Sequence, residues 1–275
     1  MVFTELLPFV LVYRNKKMKS LIVKQVSNYK LEQDYLEVPK ITPETAILKV
    51  EACGLCGSDV EQYKGSFGYV TYPLIPGHEP IGQILEIGEN AKNRWKVKEG
   101  DYVALEPHIS CGHCFSCKIG NYHLCKIESK KIKWLEQEGL PAYGYMPMSH
   151  YHGLWGGYSE YIYLHPNTVL HKIPKNVPLP IASMYQAIAA GVRWAVQVPK
   201  TSIGDTVLIL GPGQRGIASV IACKEIGAKK IIVTGLKKDK HKLSLCKAFG
   251  ADHIINIDEE NTVEKVMEYT KGEGV

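Results

Sequence analysis

Four cysteines spaced Cys111-x2-Cys114-x2-Cys117-x7-Cys125 bring three thiols into one tight loop and a fourth after a short excursion. Four thiolates close a tetrahedral shell around zinc and leave no position for a substrate, so the spacing predicts a structural zinc ion. A nucleic-acid zinc ribbon is disfavoured, because its two CxxC pairs normally stand about 15–20 residues apart. A second group offers mixed donors. Cys53-Gly54-Leu55-Cys56-Gly57-Ser58-Asp59, followed by Gly77-His78-Glu79, supplies thiolate, imidazole and carboxylate from two loops. Mixed S/N/O sets are what catalytic zinc uses, with water or a substrate oxygen in the remaining position. Taken alone, the Gly77-His78-Glu79 triplet is better explained as a buried histidine beside a surface glutamate.

A third pattern, Gly211-Pro212-Gly213-Gln214-Arg215-Gly216, follows an apolar strand and opens a helix. That is the context a dinucleotide pyrophosphate requires: the first glycine for the tight turn, the second for close approach of backbone N–H groups, the third for helix-on-strand packing. About 20 residues further on, an NAD site wants an acidic side chain for the ribose hydroxyls. The chain has Thr234-Gly235-Leu236-Lys237-Lys238 there. Gly235 replaces the acid, and Lys237 and Lys238 place positive charge where a 2′-phosphate would lie, which favours NADP(H) over NAD(H). The plainer alternative is two exposed lysines ahead of a helix, with Asp239 as its N-cap.

The elements that must position these groups change character near residue 180. Residues 20–165 carry short β-rich runs, Ala46 to Ala52, Ile81 to Ile87, Tyr102 to Leu105 and Tyr158 to Leu164, punctuated by Gly and Pro, and predict an antiparallel sheet or partial barrel. After a helix at Ile181 to Val196, strands Thr206 to Leu210, Lys230 to Thr234 and His253 to Ile257 alternate with helices Gly216 to Ile226, Asp239 to Phe249 and Thr262 to Thr270. The order is βαβαβ, an α/β fold with a parallel sheet.

Of the 275 residues 45% are hydrophobic and 22% charged, which fits a globular chain. The net charge of +5 comes from interleaved acids and bases, and Lys126 to Lys133 reads as a solvated face, so no nucleic-acid partner is expected. No apolar run reaches the roughly 18 residues of a membrane span. Eight cysteines without a signal peptide point to metal thiolates in a reducing compartment, the cytoplasm.

Together these residues resemble the zinc-containing alcohol and polyol dehydrogenases of the medium-chain superfamily. Gly77-His78-Glu79-Pro80-Ile81-Gly82, with Gly88 and Ala91 beyond, resembles that family's zinc signature, and Gly156-Gly157-Tyr158-Ser159-Glu160-Tyr161 its later GGxxEY element. The resemblance implies a β-rich GroES-like catalytic domain at 18–180 and the N-terminal half of a Rossmann domain at 181–275, with 1–17 as a leader-like extension. It implies Cys56, His78 and Glu79 at a catalytic zinc, Ser58 moving the substrate hydroxyl proton, and Asp59 orienting an imidazole. Cys53 is structural on this reading. The implied partner is a small alcohol or carbonyl substrate, with homo-oligomers in full-length relatives.

Three departures qualify that picture. The family's third catalytic-zinc position falls near Gln186, a poor zinc ligand. Glu61 stands where many relatives carry a histidine that passes the proton to solvent. The chain stops at Gly274-Val275, where another parallel strand is expected, which would leave Thr206 to Leu210 as an apolar edge. His108, His113 and His123 read as surface residues. His150, His152 and the run Tyr143 to Tyr151 are placed either in loop packing or along a substrate cleft. The expected function is zinc-dependent hydride transfer between NADP(H), or NAD, and a secondary alcohol, polyol or sugar-like substrate. The alternatives are a truncated, non-catalytic zinc-binding fragment and a zinc-free enoyl or quinone reductase.

Overall fold

The structure, a computed structural model, describes residues 18–68, 70–125 and 141–275. The leader-like segment 1–17 and the basic stretch Lys126 to Lys133 lie outside the described residues. The chain divides into two compact units at Ser183/Met184.

In the first unit, strands β1 (Lys19–Ser27) and β2 (Lys30–Glu37) form an antiparallel hairpin. A five-stranded sheet is built from β3 (Ala46–Gly54), β4 (Glu79–Ile87), β5 (Tyr102–Leu105), β6 (Tyr161–Leu164) and β7 (Leu170–Lys172), ordered β6-β3-β4-β5-β7. Every pairing in it is antiparallel. The strands form where the apolar, β-branched runs were read, and Ile47, Leu48, Ile84, Val103, Leu105 and Ile162 pack into one core. Trp155 and Tyr143 lie in the same core, and the Tyr143 hydroxyl bonds Thr168 Oγ1 at 2.6 Å, which satisfies a phenol that could not otherwise be buried cheaply.

Helix α1 (Gly57–Lys64) follows β3, α2 (Glu89–Trp95) follows β4, and the four-cysteine segment forms a short helix α3 (Phe115–Lys118) and a 3-10 turn (Tyr122–Leu124). The helix expected at Ile181 to Val196 is interrupted. α4 (Leu179–Ala182) closes the first unit, α5 (Tyr185–Val192) opens the second, and a π-type turn (Arg193–Gln197) ends it.

The second unit alternates β8 (Thr206–Leu210), α6 (Gln214–Ile226), β9 (Lys230–Gly235), α7 (Lys240–Ala248), β10 (His253–Asn256) and α8 (Thr262–Tyr269). The sheet is parallel and ordered β10-β9-β8. Ile231 and Val233 of β9 pack with Val220, Leu243 and Cys246 of α6 and α7, whereas Ile232 packs with Ile255 and Val266 on the other side. Burial on both faces explains why the strand reads as a continuous apolar run, and the layering is doubly wound. Among the described residues β8 is an edge of this sheet, and no helix is long and apolar enough to cross a membrane.

Candidate functional site

The four cysteines converge. Cys114 Sγ lies 3.5 Å from Cys117 Sγ and 3.8 Å from Cys125 Sγ, and Cys111 Sγ lies 3.9 Å from Cys117 Sγ. Zinc–sulfur bonds of about 2.3 Å imply tetrahedral sulfur–sulfur edges of about 3.8 Å, so this donor set fits a zinc ion. Backbone amides point at the sulfurs as thiolates require: Cys111 N–H donates to Cys125 Sγ and Cys114 N–H to Cys111 Sγ, each at 3.3 Å. The Cys117 backbone holds the Cys114 thiol down to about 7. His113 and His123 are exposed, as read, while His108 is half-buried, and burial holds its imidazole below the ordinary range.

The mixed cluster is assembled by the register of two strands. Gly54, the last residue of β3, pairs with Glu79, the first of β4, which sets the His78–Glu79 pair beside the loop that carries Cys56. A Cβ on residue 54 would lie 2.2 Å from Glu79 Oε2, so only glycine leaves room for that carboxylate. Cys56 is the N-cap residue of α1, and Asp59 Oδ2 accepts its backbone N–H at 2.7 Å.

Donor atoms of Cys56, His78 and Glu79 lie within 4.8 Å of one another, and all three side chains are buried. Glu79 is 4% exposed, which corrects the expectation of a surface glutamate beside a buried histidine. A carboxylate and a thiol buried together are costly without a cation, so the chemistry of this donor set fits a divalent metal as well.

The imidazole has two differentiated edges. Nδ1 lies 3.3 Å from Asp59 Oδ1, within ion-pair range although not aligned as a hydrogen bond. Nε2 faces Ser58 Oγ at 3.3 Å and Glu79 Oε1 at 3.8 Å. Burial works against protonation of His78, but Asp59 outweighs it and holds the imidazole above its usual value. Burial likewise pushes the Cys56 thiol up, and hydrogen bonds from Ser58 and His78 more than reverse it. Tyr145 was not singled out from the sequence. Its ring packs 5.3 Å from that of His78, and its hydroxyl stands 3.4 Å from His78 Nδ1 and 3.5 Å from Ser58 Oγ.

Other candidates fall elsewhere. Burial pushes the Cys53 thiol up to about 12, which suits an inert packing residue. Glu61 is tied to Ser66 Oγ at 2.9 Å and Lys64 Nζ at 3.1 Å, bonds that hold its carboxyl below the usual range. His152 packs against Tyr151 and Tyr163, and the His150 carbonyl accepts from Trp155 Nε1, so both histidines join loop packing. Gln186, at the start of α5, donates its amide to the Tyr185 hydroxyl at 2.9 Å.

In the second unit Gly211 takes φ +95°, and a Cβ on Gly216 would lie 2.0 Å from the Gly211 carbonyl oxygen. The turn therefore needs both glycines. Gly213 is the N-cap of the 13-residue α6 and provides no side-chain cap, so the first amides of that helix face outward as anion donors. Lys237 and Lys238, with Leu236 and Asp258, line an open depression of about 580 Å³ just past Gly235. Lys237 Nζ pairs with Glu259 at 2.9 Å, and Asp258 accepts the Lys237 backbone N–H. Asp239 stands at the N-cap position of α7 but does not cap with its side chain, which is drawn to Lys242 Nζ at 2.8 Å.

Residues 42–175 match the family described as the alcohol dehydrogenase GroES-like domain, and residues 216–275 the family described as zinc-binding dehydrogenase. A probable alcohol dehydrogenase of Mycobacterium tuberculosis is 39% identical over 237 residues, covering 86% of this chain and 62% of that protein. Sorbitol dehydrogenase of Bacillus subtilis is 32% identical over 263 residues, covering 94% of this chain and 67% of the relative. The crystal structure of an alcohol dehydrogenase from Thermotoga maritima superposes with a TM-score of 0.78 at 27% identity, covering 93% of this chain and 68% of that one. The chain thus spans about two thirds of the length of these relatives.

Proposed function

The chain belongs to the zinc-type medium-chain alcohol and polyol dehydrogenases, with a GroES-like unit and a partial Rossmann sheet, and we propose from that premise that it takes part in zinc-dependent hydride transfer between NADP(H) and a secondary alcohol, polyol or sugar-like substrate. The observation that carries the reading is the buried convergence of Cys56, His78 and Glu79 with the Ser58 hydroxyl 3.3 Å from His78 Nε2.

When bound, zinc supplies Lewis-acid polarisation of the substrate oxygen and the nicotinamide supplies the hydride acceptor. Cys56, His78 and Glu79 hold the metal. Asp59 beside Nδ1 orients the imidazole and leaves the Nε2 lone pair for coordination, the role a carboxylate plays behind a ligating histidine. Ser58 relays the proton of the substrate hydroxyl, accepting it while passing its own to the neighbouring Tyr145 hydroxyl at 3.5 Å, which in turn releases one to water. Glu61, held outward by Ser66 and Lys64, takes no part. The four thiolates of Cys111, Cys114, Cys117 and Cys125 hold a second zinc that only shapes their loop.

The amides after Gly211, Gly213 and Gly216 receive the pyrophosphate. Preference for the 2′-phosphate rests on the missing carboxylate at Gly235 and on Lys238, because Glu259 already neutralises Lys237. A zinc-binding module without chemistry would leave the buried Cys56–His78–Glu79 cluster without a use. The test is to incubate the purified chain with NADP and a panel of secondary alcohols and polyols and follow reduced cofactor at 340 nm. Turnover that zinc removal abolishes supports the reading, and no turnover on any member of the panel with both zinc sites loaded overturns it.

A further inference from the structure

Arg215 is the second residue of α6, inside the turn that Gly211, Gly213 and Gly216 shape for a pyrophosphate. A helix N-terminus carries partial positive charge and favours acidic side chains, so an arginine there works against the helix on its own. The first turn of α6 holds no acid, and the sequence has none between Asp205 and Glu225. The guanidinium is held from the side: its Cζ lies 4.7 Å from the ring centre of Trp194, a cation–π contact within the second unit. Trp194 is 53% exposed and Arg215 half-buried, so the pair sits at the surface rather than in the core. Ser219, one turn after Arg215 on the same face of α6, lines with Trp194 a groove that also takes in Thr206, Val207, Leu208 and Ile209. Neighbouring residues of a strand point to opposite faces, so four consecutive ones line one groove only along an open edge. Arg215 and Trp194 therefore flank the side of β8 that faces away from β9.

That flank decides which half of the dinucleotide meets Arg215. In the strand order 3-2-1-4-5-6 the dinucleotide crosses the sheet at strand 1, here β8. On the cofactor reading proposed above, the adenosine lies past β9, by Gly235 and Lys238, and the pyrophosphate on the glycine turn at 211–216. The nicotinamide half then leaves over the open side of β8, beside Arg215. The oxidised ring carries a positive charge and the reduced ring none, so a fixed cation there repels the one and spares the other. We infer that Arg215 makes the chain select the reduced dinucleotide, the form that reduces a carbonyl substrate. The selection rests on the cofactor reading and adds the oxidation state to it.

Isothermal titration of the whole zinc-loaded chain with NADPH, NADP, NADH and NAD reads the selection, and thermal unfolding without ligand checks that each variant folds. A unit charge in a partly screened site changes affinity about fivefold, so NADPH should bind about fivefold more tightly than NADP, and NADH more tightly than NAD by the same factor. Arg215→Gln should bring both ratios to about one, and Arg215→Lys, which keeps the charge, should retain them. Lys238→Glu should lower the ratio of NADPH to NADH affinity and leave the preference for the reduced form in place. No binding of any of the four dinucleotides by the unchanged chain overturns the cofactor reading, and the selection with it. Binding whose preference for the reduced form is absent, survives in Arg215→Gln, or is lost equally in Arg215→Lys overturns the role of Arg215 and leaves the cofactor reading standing. An equal loss of affinity for all four dinucleotides in Arg215→Gln does the same, since a purely structural arginine would act that way.

Discussion

Removing zinc from the four-cysteine lobe should unfold that lobe and little else. From Ser110 to Cys125 no apolar side chain is buried, and Phe115, Ile119 and Leu124 stand 77%, 54% and 57% exposed. A buried Leu or Phe would contribute about 1.5–3 kcal/mol each, and here that contribution is close to nil. The regular structure amounts to the four residues of α3 and the three of the 3-10 turn, too short to hold themselves in water. Ordering each residue costs about 1–2 kcal/mol, and a structural zinc, at about 10–16 kcal/mol, is the one favourable contribution of matching size. Hydrogen exchange read by mass spectrometry, before and after chelation or in Cys111→Ser, measures this. Amides of Cys111, Cys114, Lys118 and Cys125, all hydrogen-bonded, should lose protection about a hundredfold or more, equivalent to about 3 kcal/mol, while β3 and β4 keep theirs. Protection in the lobe that survives zinc removal, or an equal loss across β3 and β4, would refute the reasoning.

Three more outcomes follow from single contacts. Gly54→Ala places a methyl 2.2 Å from Glu79 Oε2 and should weaken zinc at the mixed cluster about 10–100-fold while sparing the four-thiolate zinc, which competition with a chromophoric chelator will read. Burial, helped by Arg94, holds His165 down to about 4. Because its folded value is lower than the unfolded one of about 6.5, the unfolded state binds the proton first. Stability is then full above about pH 6.5 and is lost as pH falls toward 4, on the order of 3 kcal/mol at most. Urea midpoints across that window should flatten in His165→Asn, and an unchanged slope would remove His165 from the account. Lys238→Glu should shift the ratio of NADPH to NADH affinity about tenfold toward NADH, measured by quenching of protein fluorescence, and an unchanged ratio would discard the 2′-phosphate argument.

How legible each part was depends on how local its cause is. The four cysteines are near neighbours in sequence, so their spacing alone carried the metal geometry. His78 and Glu79 are different: they meet Cys56 because β3 and β4 pair with Gly54 opposite Glu79, a register that the triplet Gly77-His78-Glu79 does not display. Only its resemblance to a known signature marked it. Tyr145 reaches His78 from 67 residues away on an irregular segment, where no periodicity separates it from Tyr143, which turns into the core. The strand β2 was not singled out, since Lys30–Glu37 is mostly exposed and charged and is held by pairing to β1 and by Lys24–Asp34 at 2.6 Å. In the second unit the parallel strands were plain as apolar runs because both of their faces are buried. Asp239 could not be read as a non-capping residue, because the competing pull of Lys242 is a side-chain choice.

Metal content bears most directly on the account, because its central claim is that Cys56, His78 and Glu79 form a metal site distinct from the four thiolates. Zinc should be counted by atomic emission on the purified chain, on Cys111→Ser and on Glu79→Ala. The account predicts two zinc ions per chain, one for each cluster, with each variant losing one and keeping the other. A single zinc that Cys111→Ser removes and Glu79→Ala leaves in place would contradict it.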